Sequence, residues 1–165
     1  MSPSARKLIL ALHLTASIGW IGAVAAYLRL DITAVTSEDA NALRSAYLGM
    51  DAIAGNVIVP LAITALLTGI AISLGTKWGL FKHYWTAISL IMTTIAVIVL
   101  IAETRTIDRY AAVAASPSAS VEELQRLGGT LPHSLGGMVV LLVVLVLNVY
   151  KPQGLTRHGQ RRLSR

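Results

Sequence analysis

Two long apolar runs, residues 56–74 and 86–102, flank the short basic and aromatic stretch 75–85, GTKWGLFKHYW. No other feature restricts the fold as strongly. Tryptophan and tyrosine favour the headgroup level of a bilayer, and lysine favours its cytoplasmic side. Such a turn predicts an antiparallel hairpin of membrane-spanning helices, and it sets the direction of every other span. Two further runs complete the set, so that four spans are expected at about 8–28, 52–74, 83–101 and 131–150. Each is near the roughly 20 apolar residues a helix needs to cross the hydrocarbon layer.

Charge is scarce in this chain, at 13% of residues against 55% hydrophobic. What charge there is divides by side. With both termini cytoplasmic, the inner segments carry Arg6, Lys7, Lys77, Lys82, Lys151, Arg157, Arg161, Arg162 and Arg165 and no acid. All eight acidic residues fall in the outer segments, with five arginines. This is the positive-inside distribution, and it predicts an N-in, C-in protein of the cell membrane. The formal charge of +6 is therefore assigned to anionic lipid headgroups against the basic tail, 152–165, rather than to nucleic acid. No cysteine is present, which excludes disulfides and thiolate metal sites. Ala23-Val24-Ala25 resembles a signal cleavage site, but the preceding run exceeds the about 7–15 residues of a signal core. The expected architecture is all-α, an integral membrane four-helix bundle over 1–151.

Within the first span, Ala11, Thr15, Gly19 and Ala23 recur every fourth position, with Gly22 and Ala26 as a second pair. Small residues so spaced allow close helix packing in lipid, within the chain, in a homo-oligomer or against a partner membrane protein. A different face carries His13, Trp20 and Tyr27 at intervals of seven. In the second span Pro60 cannot donate to the carbonyl of Asn56, which predicts a local break in the helix. Leu43, Tyr47 and Met50 predict an amphipathic helix, either lying at the interface or running directly into the second span, and Ser120-Val121-Glu122-Glu123 predicts a capped short helix over 121–127. Residues 103–120 read as charged and Ser/Ala/Pro-rich loop, and the tail reads as disordered.

Ionisable groups inside a membrane are expensive and point to function. His13 lies near the inner end of the first span, and His83 opens the third at the same side. Neutral imidazole ligates haem iron, and bundle cores house such cofactors. This nominates His13 and His83 as ligands to haem iron, with Trp20 and Tyr27 lining a haem b or a quinone. The bland alternatives are an interfacial anchor for His83, next to Tyr84-Trp85, and a hydrogen bond within the bundle for His13. A non-catalytic membrane subunit or transporter component would use only the small-residue faces. His133, at the outer end of the fourth span, is expected to be interfacial, and His158 in the tail is expected to have no role. No acid lies deep within a span, which argues against proton coupling through a buried carboxylate.

The segments IGWIGAVAAYL and IVPLAITALLTGIAISLGTKWGLFKHYW, with the Thr-rich third span, resemble an uncharacterised bacterial family of four-helix membrane proteins over 8–104. That resemblance implies a fold and no activity. HLTASIGW followed by YLRL is similar to the first helix of HemJ-type protoporphyrinogen oxidases. This implies haem binding, with His13 in the place of their first-helix ligand. The copper-resistance D family also opens its membrane domain with a His–Trp helix of this type.

Overall fold

The computed structural model describes residues 1–76, 79–156 and 159–160, so Lys77, Trp78, Arg157, His158 and 161–165 lie outside the described residues. The fold is helical throughout: α1 (Pro3–Thr36), α2 (Ala40–Ile53), a π-helical turn (Ala54–Ile58), α3 (Val59–Gly75), α4 (Tyr84–Ala115), α5 (Val121–Leu127) and α6 (Leu131–Tyr150). Four helical segments are long and apolar enough to cross a membrane: α1, the continuous Ala40–Gly75 stretch, α4 and α6. These are the features of a multi-pass membrane protein. The surface agrees with this. Leu8, Ile18, Leu67, Ile98 and Val149 are each 60% exposed or more, a coat that would aggregate in water but is matched to lipid. Small residues contribute to the helix contacts inside, among them Ala16, Ala34, Ala46, Ala54, Ala62 and Ala65, all buried.

Helix α1 packs against α2, α3 and α6, and α4 packs against α2, α3 and α6. One end of the molecule gathers Met1, Gly75, the turn at 79–83 and residues 154–156; we call it the terminal end. There Tyr84 N–H donates to Gly154 O at 3.3 Å, Thr156 N–H donates to Lys82 O at 3.0 Å, and His83 pairs with Leu155 in an isolated bridge. The first residues after α6 are thus docked on the turn rather than disordered. The opposite, cap end holds the α1–α2 turn, α5 and the N-terminus of α6.

Several expected boundaries move outward. Helices α1 and α4 contain 34 and 32 residues, roughly 50 Å each at 1.5 Å per residue, and so outrun a hydrocarbon layer of about 30 Å. The charged stretch ETRTIDR is the continuation of α4, because nothing in it breaks a helix. Charge marks where a chain leaves hydrocarbon, and it does not end a helix. The amphipathic helix α2 runs directly into the second span. Asp39 caps it, accepting Ala42 N–H at 2.9 Å, and it runs through the π turn into α3. Its Leu43, Tyr47 and Met50 face is fully buried.

The π turn is what becomes of the break expected at Pro60. Val59 N–H reaches back to Ala54 O, a wider spacing that absorbs the donor Pro60 lacks. The capping box of α5 forms as predicted, with Glu123 N–H donating to Ser120 Oγ at 3.2 Å and Ser120 N–H to Glu123 Oε2 at 3.0 Å. Beside it, the backbone N–H and the Ser120 hydroxyl hold the Glu122 carboxyl below the usual range.

Candidate functional site: two cavities of opposite charge

The four long helices enclose two cavities stacked along the molecule, with Trp20 and Leu141 on the walls of both. Trp20 is 4% exposed and forms part of the partition between them. The helix face carrying His13, Trp20 and Tyr27 therefore serves both cavities, with one residue in each and the tryptophan between.

The cavity nearer the terminal end has a volume of about 500 Å³. His13 stands on its wall. Its Nδ1 lies 3.0 Å from Ala65 O and 3.0 Å from Thr68 Oγ1. A carbonyl can only accept, so Nδ1 carries the proton and Nε2 of the neutral ring is left with its lone pair. Thr68 in turn donates its hydroxyl to Thr64 O at 2.5 Å. Gly69 makes room for the ring, since a Cβ there would come within 3.1 Å of His13 Cε1. Fixing one imidazole nitrogen on a backbone carbonyl is the arrangement that orients histidine ligands of metals.

The rest of this wall is polar for a membrane protein. Ser17, Thr93 and Asn148 contribute to it, and Asn148 Nδ2 donates to Ser89 Oγ at 3.1 Å. The Thr76 and Thr86 hydroxyls are buried on the wall without a hydrogen-bond partner. An unpaired buried hydroxyl costs about 1–3 kcal/mol. Arg6 and Lys151 also line the cavity, and no acid does. His83 is not among the lining residues. It precedes the first turn of α4, its ring 6.4 Å from that of Trp85. The structure therefore does not bring the two nominated histidines onto one wall.

The second cavity, about 370 Å³, lies toward the cap end between α1, α4 and α6. Its charge is reversed: Glu103 is on its wall, with His133 beside it, and among the described residues neither lysine nor arginine is. His133 Nδ1 is 3.7 Å from Glu103 Oε2. Tyr27, 5% exposed, also lines this cavity and donates its hydroxyl to Thr130 Oγ1 at 2.7 Å. The Thr130 hydroxyl in turn donates to Asp31 Oδ2 at 3.0 Å.

Asp31 is the residue that sequence reasoning missed. It is completely buried, although it follows the apolar part of α1. Ser134 Oγ donates to the same Oδ2 at 2.6 Å, and Thr130 N–H donates to Oδ1 at 2.8 Å. The carboxylate thus sits at the N-terminus of α6, where peptide dipoles favour a negative charge. A signal was available in the sequence, because Asp31 continues the buried stripe Trp20, Val24, Tyr27, Asp31, Ala34 at alternating steps of four and three. Among the described residues no cluster of three or more His, Cys, Asp or Glu could hold a bare metal ion. No family model matches the chain, and neither the curated proteins nor the solved structures contain a match to it.

Proposed function

We propose that this protein is a four-helix membrane bundle, both termini cytoplasmic, that binds b-type haem for redox chemistry in the terminal-end cavity. One observation carries the reading. His13 is fixed through Nδ1 with Nε2 left as a ligand, on the wall of a cavity that also holds two unpartnered hydroxyls and two basic residues. Haem needs an imidazole nitrogen, apolar walls and partners for two carboxylates. His13, Trp20 and the pair Arg6 and Lys151 are of the right chemistry for each. The first-helix likeness to haem-binding proteins points the same way, as does the excess of basic residues at the terminal end, which suits the cytoplasmic face. Bound haem would supply one-electron chemistry, and the chain's contribution is to orient His13 and exclude water. The same hydroxyls would suit the carbonyl oxygens of a quinone, the other occupant to test.

The deciding experiment is the absorption spectrum of protein purified after haem-supplemented expression, oxidised and dithionite-reduced. A Soret band lost in His13→Ala is expected, with His83→Ala retaining it. Loss in both variants would restore the two-histidine arrangement. A colourless protein would sink the haem reading, and quinone titration would then decide the alternative.

A second reading rests on Gly22 and Ala26. A Cβ at Gly19 would meet Leu61 Cδ1 at 3.2 Å, so that ridge is used within the chain, whereas one at Gly22 meets nothing within 4 Å. Gly22 and Ala26 are exposed, and this is the face on which a partner helix or a second copy of the chain would pack if the protein is a membrane subunit. Gly22→Ile would then abolish cross-linking to that partner.

A further inference from the structure

We propose that the cap-end cavity is a separate binding site for a lipophilic cation, an ammonium or phosphonium carried on an aromatic or alkyl body. This site does not rest on the haem reading, since it uses the other cavity and shares with the first only the partition residues Trp20 and Leu141.

Three features of the cavity point to this ligand class. First, the wall is apolar except at its cap-end rim, where the only carboxylate is Glu103. The Glu103 side chain is 18% exposed, and among the described residues its ionic partner is His133, which is 53% exposed and charged only if protonated. A carboxylate so placed is poorly solvated and incompletely neutralised, and it favours an incoming cation. Second, Tyr27 stands on the same wall toward the cap end, where it meets Thr130, while Trp20 closes the far end at the partition. Aromatic faces attract ammonium groups, most strongly away from water. Third, the cavity has a side entrance. Ile95 and Val99 of α4 line it yet are 56% and 41% exposed. Across from them, Gly136 and Gly137 of α6 also line it, and a Cβ on either meets nothing within 4 Å. Two successive glycines in a helix otherwise mostly Val and Leu leave its flank bare where a side chain would fill the space. A volume of about 370 Å³ is within the range of small-molecule sites. A ligand that partitions into the bilayer reaches Glu103 through this opening, with its body against apolar walls and its charge at the rim.

The test uses the full chain in lipid nanodiscs, with empty nanodiscs as the partition blank. Equilibrium dialysis would follow benzyltrimethylammonium and tetraphenylphosphonium as cations, with tetraphenylborate as the anion matching the latter in shape. Saturable binding of at least one cation and none of the anion is expected. Loss of a charge-assisted contact should weaken that binding about tenfold or more in Glu103→Gln. Gly137→Phe should block it by filling the opening. His133→Arg sets a permanent cation against Glu103 at a half-exposed position that tolerates change, and should also abolish binding if Glu103→Gln fails to fold. His13→Ala should leave it intact. Saturable binding of neither cation, equal binding of the anion, or unchanged binding in Glu103→Gln or His133→Arg would overturn the proposal. In the case of equal binding, the cavity is simply space for lipid acyl chains.

Discussion

The Asp31 carboxylate and Thr130 clasp α1 to the start of α6 by two hydrogen bonds, from the threonine N–H at 2.8 Å and from its hydroxyl at 3.0 Å. Ser134 adds a third donor and Tyr27 backs the threonine. The approach is so close that no side chain fits at Gly129, where a Cβ would stand 2.6 Å from Asp31 Oδ1 and collide with Val35 Cγ1. The wall of the cap-end cavity is built on this junction, because Tyr27, Thr130 and Ser134 all line it.

Asp31→Ala should therefore strand one buried N–H and two hydroxyls at once. Each unsatisfied donor costs about 1–3 kcal/mol, so a total near 3 kcal/mol is expected after partial relaxation. Asp31→Asn should cost less, since the amide oxygen still accepts the Thr130 N–H and its NH₂ can donate to a hydroxyl oxygen. Chemical unfolding in detergent would rank the two. Amide exchange should accelerate at 128–134 before the rest of the molecule. Equal stability of Asp31→Ala and the parent would show that the junction is not what holds α6.

Arg44 performs the matching task for the 116–119 loop. Its guanidinium donates to the carbonyls of Ala114, Ser116, Pro117 and Ala119, the last at 2.6 Å. Lysine keeps the charge but has neither the planar fork nor enough donors in the right directions. Arg44→Lys should thus lose most of what Arg44→Ala loses, about 2 kcal/mol. Limited proteolysis would show it as faster cleavage between 115 and 121. A lysine variant as resistant as the parent would mean that charge alone orders the loop.

The spans are legible in the sequence because lipid imposes a length and a polarity that no tertiary contact can override. The α5 capping box is legible because all its contacts are within four residues. Helix ends at the cap side are not, since the extra turns of α1 and α4 are held by α2 and α5, which a local reading cannot put beside them. The same limit hides Asp31 and Glu103. Both look like ordinary acids just outside a span, and only the packing of α6 against α1 and α4 makes one fully buried and the other part of a cavity wall. His13 shows the opposite case. Its position on the Trp20–Tyr27 face is a matter of helical period alone, and it lines a cavity as that face suggests. The partner nominated for it, His83, depended on how two helices meet, and period says nothing about that.

The placement of the His13 ring can be tested without any assumption about a cofactor. Gly69 lies in the interior of α3, where Ala is better than Gly by about 0.5–1 kcal/mol when there is space for it. Here the ring occupies that space, with Cε1 3.1 Å from where the Cβ would be. Gly69→Ala should consequently be neutral or destabilising in the parent, as crowding cancels the helical gain. In a His13→Ala background the ring is gone, and the same substitution should stabilise by the full about 0.5–1 kcal/mol. The difference between the two backgrounds is a coupling energy, expected to be about 1 kcal/mol for residues in contact. His13→Ala alone should be destabilising, because it removes the donor to Ala65 O and enlarges a cavity already about 500 Å³ in volume. Denaturant unfolding of the four proteins in one detergent completes the cycle. A Gly69→Ala effect of the same sign and size in both backgrounds would mean that the imidazole does not rest on Gly69, and the orientation that leaves Nε2 as a ligand would have to be abandoned with it.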